Sequence, residues 1–426
     1  MADLPLKGIR VIDLSMWFAG PMCTRLLADM GAEVIKVESL KHIDPWRGPV
    51  VRERASVQFP FRPVTDKPYD CSPGFNLENR NKYGITLDLQ QPKAKEILKK
   101  LVKISDVLVE NYSPRVMPKL GLDYSVLRGV NPKLIMISLP ALGGTGPDRD
   151  YLAFGQTIDC MSGMAYLTGY SGEEPMLESG LSYGDPLSGM NAAFGVVSAL
   201  LYQRRTGKGL HIDLSQVEGL VAFNADAVLD YTMNGRVRER IGNRDRTMAP
   251  HGTYRCKGED RWVSIAIGSD EEWRNFCTAI GEPDWAKDAR FADYPGRYNH
   301  QDELDKLITT WTLQHNHYTT MHSLQAAGVA AGAVLDAREL IEEPHLNARG
   351  IWERIPHPVA GTHAEIGPFA LFSKTPLHIL KPAPCLGEHN EFVFGQLLGM
   401  SREEIAELEK EGITGTKPSE VQQGSM

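Results

Sequence analysis

At 426 residues the chain exceeds the roughly 250 to 300 at which a single hydrophobic core stops growing, so two domains are expected. Lys and Arg number 46 against 54 Asp and Glu, a net charge of -8 with the signs mixed along the chain, which argues against a nucleic-acid partner. The six cysteines (Cys23, Cys71, Cys160, Cys256, Cys277, Cys385) form no CxxC pair, and neither a signal-like nor a membrane-spanning apolar run occurs, so a soluble cytoplasmic protein is expected.

GIRVIDLS (8–15) is a β-branched run of strand length, AGPMCTRLLADMG (19–31) has helical spacing and ends in glycine, and AEVIKVE (32–38) is a second strand. This βαβ pattern recurs in YGITLDL, PKAKEILKKLVKIS, DVLVEN, YSVLRGVNPK and LIMISL, and predicts an α/β fold with a parallel sheet covered on both faces. A helix opened by Pro186, a strand GLHIDLS and a helix VEGLVAFNADAVLDYTMNG follow, so residues 1–220 form the first part of the large domain. From 235 to 335 the chain is more polar. There GTYRCKGEDRWVSIAIG reads as a hairpin and DEEWRNFCTAIG as a helix, the expected smaller α+β insert. HLNARGIW begins the return to the large domain over 345–415, which closes with the helical SREEIAELEKEG. The polar end, 416–426, is expected to be disordered.

LSYGDPLSGMNAAFGVVSALLYQ (181–203) sets one carboxylate, Asp185, between a glycine-flanked turn and a long apolar run. Asp followed by Pro reads as a helix start, with the carboxylate as N-cap. The helix dipole would hold the same carboxylate ionised, as an oriented oxygen nucleophile. Other chemistries fit less well. The first βαβ unit with Glu38 invites a dinucleotide reading, but its turn SMWFAGP lacks GxGxxG, and Trp17 and Phe18 would crowd a pyrophosphate. His315, His317 and His322 lack ligand spacing, so no metal is expected, and neither GxSxG nor a phosphate-cradling GxxxxGK occurs. The GGTGP stretch from Gly143 to Pro147 reads as a turn. Arg80 and Lys82 in ENRNKYG precede a strand, where cations suit a phosphate-bearing ligand.

Taken together, LKGIRVIDLS, AGPMCTRLLADMGAEVIKVE, ENRNKYGITLDL, DVLVENYSP, GLDYSVLRGVNPKLIMISL, MSGMAYLTG, GDPLSGM, HLNARG and PAPCLGEHN resemble, in order, segments of the class III CoA-transferase family. That family includes formyl-CoA transferase, carnitine-type CoA-transferases and 2-methylacyl-CoA racemases. The resemblance implies a Rossmann-like large domain and two subunits threaded through each other as an interlocked dimer, either a homodimer or a pair with a related subunit. Asp185 stands where the family keeps its catalytic aspartate. The implied reaction runs through mixed anhydrides and an aspartyl-CoA thioester, with backbone N–H groups of Gly184 and Gly189 as oxyanion donors. No tightly bound cofactor is implied, coenzyme A thioester being the substrate. Arg80, Asn81, Lys82, Asn111, Tyr112 and Lys119 match CoA-contacting positions. After VIKVE, Ser39 stands where many members place Arg or Pro, leaving Lys41 or Arg47 to supply phosphate charge.

Other departures narrow the expected activity. Phe154 occupies the position of the racemase histidine base and cannot move a proton, and Gly155 stands where an acidic partner usually sits. Phe18 replaces a glutamine of formyl-CoA transferase, and TMAPHGTYRCKG holds no glycine-rich lid, which disfavours formyl or oxalate substrates. Trp17, Phe18 and Phe154 would make an aromatic wall beside the nucleophile. A bulky or aryl-substituted acceptor such as a benzylsuccinate-type acid, with succinyl-CoA as donor, is therefore expected. A CoA-thioester racemase or isomerase and a non-catalytic subunit are the alternatives.

Overall fold

The computed structural model describes residues 4–50, 65–176 and 182–419, which divide into two units. The larger comprises 1–164, 177–236 and 349–426 within those limits. Its β-branched runs form six parallel strands: β1 (Arg10–Asp13), β2 (Glu33–Glu38), β3 (Lys82–Thr86), β4 (Val107–Glu110), β5 (Ile135–Ser138) and β6 (Leu210–Asp213). Their order, β3-β2-β1-β4-β5-β6, is that of a doubly wound Rossmann-like sheet. Successive residues point to opposite faces, and both faces are dry. Ile12, Ile35, Leu108 and Met136 pack with Ile97, Leu101 and Leu127 on one side. Val11, Val34, Val107 and Ile135 pack with Cys23, Leu27, Ala192 and Val196 on the other. That second face is covered by the Ala19–Asp29 and Gly184–Thr206 helices.

Gly189 explains how closely those two helices cross. A Cβ there would lie 2.8 Å from Ala19 O and 2.9 Å from Met22 Cβ, so only glycine permits the approach. The expected helix over 217–235 is instead two, Gln216–Phe223 and Ala225–Asn234. They part at Asn224, whose N–H is shared between Leu220 O and Val221 O.

Several charges are buried beside β1, β2 and β3. Lys82 pairs with Asp13 at 3.0 Å, Lys36 with Asp44 at 2.9 Å, and Arg47 with Glu38 and Asp70 at 2.7 Å each. Paired and hydrogen-bonded, such ions are tolerated in a core; alone, they are not.

Of the polar end, the first residues are placed on the large unit: Thr416 and Lys417 are exposed, Pro418 is buried, and Ser419 N–H donates to Leu40 O at 2.9 Å. Just before them Gly415 O accepts from Thr86 Oγ1 at 2.6 Å. Backbone groups bonded to the main body outweigh a polar composition; residues 420–426 lie outside the described range. The β10–β11 hairpin (Trp352–His357, Gly361–Ile366) also belongs to this unit.

The smaller unit runs from Val237 to Ala348 and takes in Ala165–Met176, where the sequence suggested only 235–335. Its antiparallel sheet, β7 (His251–Arg255), β8 (Trp262–Ala266) and β9 (Ala330–Ala333), carries helices over a core of Trp273, Phe276, Phe291, Leu304 and Leu324. The expected hairpin and the helix after it, Asp270–Ala279, are both present. Among the described residues no helix is long and apolar enough to cross a membrane.

Candidate active site

The winding of the sheet reverses between β1 and β4, and in such sheets ligands bind outside the carboxyl ends of the strands at that point. A cavity of about 620 Å³ lies there, within the large unit. It is lined by the turns after β1 (Met16, Trp17, Phe18), β4 (Asn111 to Pro114) and β5 (Pro140, Ala141), by the segment from Arg149 to Ile158, and by Ser182 and Asp185.

The turn after β1 is held from two sides. Asn111 accepts from Met16 N–H at 2.9 Å and donates to Met16 O at 2.7 Å, while Trp17 N–H donates to Asp44 Oδ1 at 3.1 Å. Trp17 consequently sits at φ +64°, a conformation that a bulky residue adopts only when its surroundings impose it. This strain turns its ring into the cavity, edge-on to Phe154 at 5.5 Å. Phe18 packs on Trp46 at 5.1 Å.

Asp185 is not the N-cap. The helix begins at Gly184, so Asp185 lies in its first turn, and the Gly184 N–H donates to Asp159 Oδ1 at 3.2 Å. Asp159, from the Gly155–Met161 helix, takes the capping role that the sequence suggested for Asp185. Nor does the helix dipole decide the charge of Asp185. Burial first, and the neighbouring Asp159 second, push its carboxyl up to about 6, against the opposing effect of the Ser182 hydroxyl. The carboxylate is thus a stronger base than an ordinary aspartate and still mostly ionised at pH 7.

Gly155 has a steric reason for carrying no acidic side chain. A Cβ there would fall 2.5 Å from Ser182 Oγ and closer still to Asp185 Oδ2. The backbone of Gly155 is the surface against which the carboxylate rests. Gly155→Ala is expected to lower kcat about 100-fold by displacing the carboxylate, with the fold retained; an unchanged kcat in steady-state assays would show that the group has room to spare.

The structure brings Asp185, Trp17, Phe18, Phe154, Asn111 and Tyr112 together in this cavity. It does not bring the remaining candidates there. Arg80 forks Asp29 at 3.2 and 2.8 Å and also donates to Ile366 O. Asn81 donates to Asp29 and accepts from Leu380 N–H and Lys381 N–H at 2.7 and 3.0 Å. Lys82 is fully buried on Asp13, Asn79 and Pro21 O. Lys119 is exposed on the Val116–Leu120 helix, outside the lining. Lys41 is engaged by Asp88 at 2.8 Å, and Arg47 lies under the surface with Glu38 and Asp70. Glu38, held by Arg47 and by Asp44 N–H, has no oxygen to spare for a ribose.

Gly184 and Gly189 have other tasks than oxyanion binding: the first gives its N–H to Asp159, and the second seats the helix crossing. His317 is bonded to Glu339 at 3.0 Å, and no group of three or more metal-ligating side chains occurs among the described residues. Asp159, Ser182, Trp46 and Arg149 were not indicated by the sequence. Only Arg149, in the charged GPDRD stretch after a strand and a glycine turn, had a local signal.

A doubly wound sheet with a basic, half-buried carboxylate facing a cavity at its switch point provides an oxygen nucleophile that can take part in group transfer. The CoA-transferase family III model matches residues 6–390, and the chain belongs to that family. It is 34% identical to the succinyl-CoA–D-citramalate CoA-transferase of Chloroflexus aurantiacus, covering 96% of this chain and 98% of the relative. It is 32% identical to the succinate–glutarate CoA-transferase of Agrobacterium fabrum, over 93% and 97%. The crystal structure of a CAIB/BAIF family protein from Brucella suis superposes with a TM-score of 0.82 at 30% identity, covering 93% of this chain and 100% of the other. The protein is an enzyme that transfers CoA between an acyl-CoA and a carboxylate.

Proposed function

We propose that Asp185 carries CoA covalently between the two acids. Its carboxylate attacks the thioester carbonyl of the donor; the new C–O bond forms as the C–S bond breaks, giving a mixed anhydride and CoA thiolate. The thiolate attacks the Asp185 carbonyl, releasing the donor acid as its carboxylate and leaving an aspartyl-CoA thioester. The acceptor carboxylate then displaces the thiolate to form a second anhydride, and the thiolate returns to the acceptor's carbonyl, restoring Asp185. One thioester replaces another, so little free energy is lost. The observation that carries this reading is the position of Asp185: in the cavity, raised to about 6, on a wall with room for an acyl group.

The preferred acceptor is a bulky or aryl-substituted dicarboxylate of the benzylsuccinate type, with succinyl-CoA as donor. Trp17, Tyr151, Leu152 and Phe154 support it, because all four line the cavity and are exposed in the free protein. Two relatives described above act, by name, on succinyl-CoA with citramalate and on succinate with glutarate, which agrees with dicarboxylic substrates. A racemase would need a second proton carrier beside Asp185, and Phe154, at the position of the histidine base, is none.

The active form is a dimer. Phe194, Phe223, Leu229, Tyr231 and Met233 expose large apolar side chains along three consecutive helices, more than a monomer leaves in water. A second copy or a related subunit would cover them.

Mass spectrometry of the intact protein after mixing with succinyl-CoA tests the covalent step. The expected product is a CoA adduct, formed with loss of the donor acid, that hydroxylamine removes. No adduct with any acyl-CoA, together with α-hydrogen exchange in deuterated water, would transfer the reading to a racemase.

A further inference from the structure

We propose that Arg149 recognises the second carboxylate of a dicarboxylic substrate whose first carboxylate reacts at Asp185; the role of the first rests on the transfer reading above. Among the described residues lining the cavity, Arg149 and Asp185 are the charged ones. Asp185 is inside, and Arg149, with 54% of its side chain exposed, is on the solvent side. Tyr151, Leu152 and Phe154, on the same segment as Arg149, line the cavity with them.

Every other cation that the sequence pointed to near the site is engaged or lies outside the lining, but Arg149 is available. Among the described residues its only carboxylate neighbour within 4 Å is Asp150, 3.9 Å from Nε, and Asp150 also pairs with Arg115, 3.3 Å from its Oδ1. Arg115 also donates to Asp150 O at 3.1 Å, which anchors the backbone beside Arg149. The guanidinium fork of Arg149 therefore has no hydrogen-bond partner among the described residues and is presented from a fastened stretch of chain.

A planar fork with two parallel donors matches a carboxylate edge to edge. The phosphates of CoA are the other anionic source. A diphosphate commonly gathers several donors, whereas this wall offers one cation among apolar side chains, which suits a single carboxylate. Such a contact rejects the analogue without that carboxylate, because nothing then replaces the water stripped from the cation.

Calorimetric binding of glutarate, butanoate and CoA to the wild type, Arg149→Gln and Arg149→Lys tests the assignment without requiring turnover. Glutarate and butanoate differ by one carboxylate. Glutarate should bind the wild type more tightly than butanoate and lose about 10- to 100-fold in Arg149→Gln, with partial recovery in Arg149→Lys. Butanoate and CoA should be unaffected. Equal binding of the two acids by the wild type, unchanged glutarate binding in Arg149→Gln, or a loss confined to CoA would each overturn the proposal, the last by assigning Arg149 to phosphate. The CoA-adduct experiment separately judges the transfer reading on which the role of the first carboxylate depends.

Discussion

Asp185→Asn is expected to lower kcat for CoA transfer by about 10⁴-fold or more, the scale of losing a nucleophile. The same variant should be more stable than the wild type at neutral pH. Burial and Asp159 raise the Asp185 carboxyl to about 6, above its unfolded value near 4, so between these values the native state holds a proton that the unfolded chain has released. Wild-type stability therefore falls as pH rises through that window, and remains lowered above it. Asparagine removes the titration. The variant should gain about 2 kcal/mol at pH 7 and nothing at pH 3.5, read from urea denaturation at both values. A variant that keeps appreciable turnover would remove Asp185 from the chemistry, and one without the pH-dependent gain would show that the carboxylate is not strained by burial. The wild-type acylation rate should rise with pH through about 6, because the ionised form is the nucleophile.

Arg47→Leu should be the most destabilising of the changes considered, by about 3 to 5 kcal/mol at pH 7. The guanidinium is fully buried, bonded to both oxygens of Glu38 and to Asp70, and stacked 3.7 Å from the centre of the Phe75 ring. Leucine fills part of that volume but strands the two carboxylates. In the wild type, burial opposes the charge of Glu38, yet Arg47 and Lys36 hold its carboxyl below the usual range. With Arg47 gone, burial is opposed mainly by Lys36 and pushes the carboxyl upward, so the loss should shrink as pH is lowered and Glu38 takes up a proton. Denaturation at pH 5 and pH 7 would reveal this. If Arg47 were instead a phosphate ligand, the substitution would weaken CoA binding and leave stability nearly unchanged.

The contrast between Arg47 and Arg149 marks what residue order conceals. Both follow short loops beyond strands, and both lie near a proline. Arg47 is buried because Glu38 and Asp70 meet there from separate stretches; Arg149 remains available because Asp150 also pairs with Arg115. Arg80, Asn81 and Lys82 were likewise indistinguishable from a phosphate-binding loop until Asp29 and Asp13 were seen against them. The attachment of Gly415 and Ser419 was hidden for the same reason, since Thr86 and Leu40, which hold them, are more than three hundred residues away in sequence.

The alternation of strands and helices in the large unit, the polar insert with its hairpin, and the segments carrying Asp185, Trp17, Phe18, Phe154, Asn111 and Tyr112 were readable from residue order, whereas the break of the 217–235 helix at Asn224 was not. Periodicity and turn chemistry act between neighbours, and the segments keep a recognisable spelling. Where each charge ends up, and whether Asp185 is ionised by a helix end or raised by burial beside Asp159, was decided by the tertiary structure alone. Desolvation and Coulomb energy depend on distances between groups that the chain itself keeps far apart.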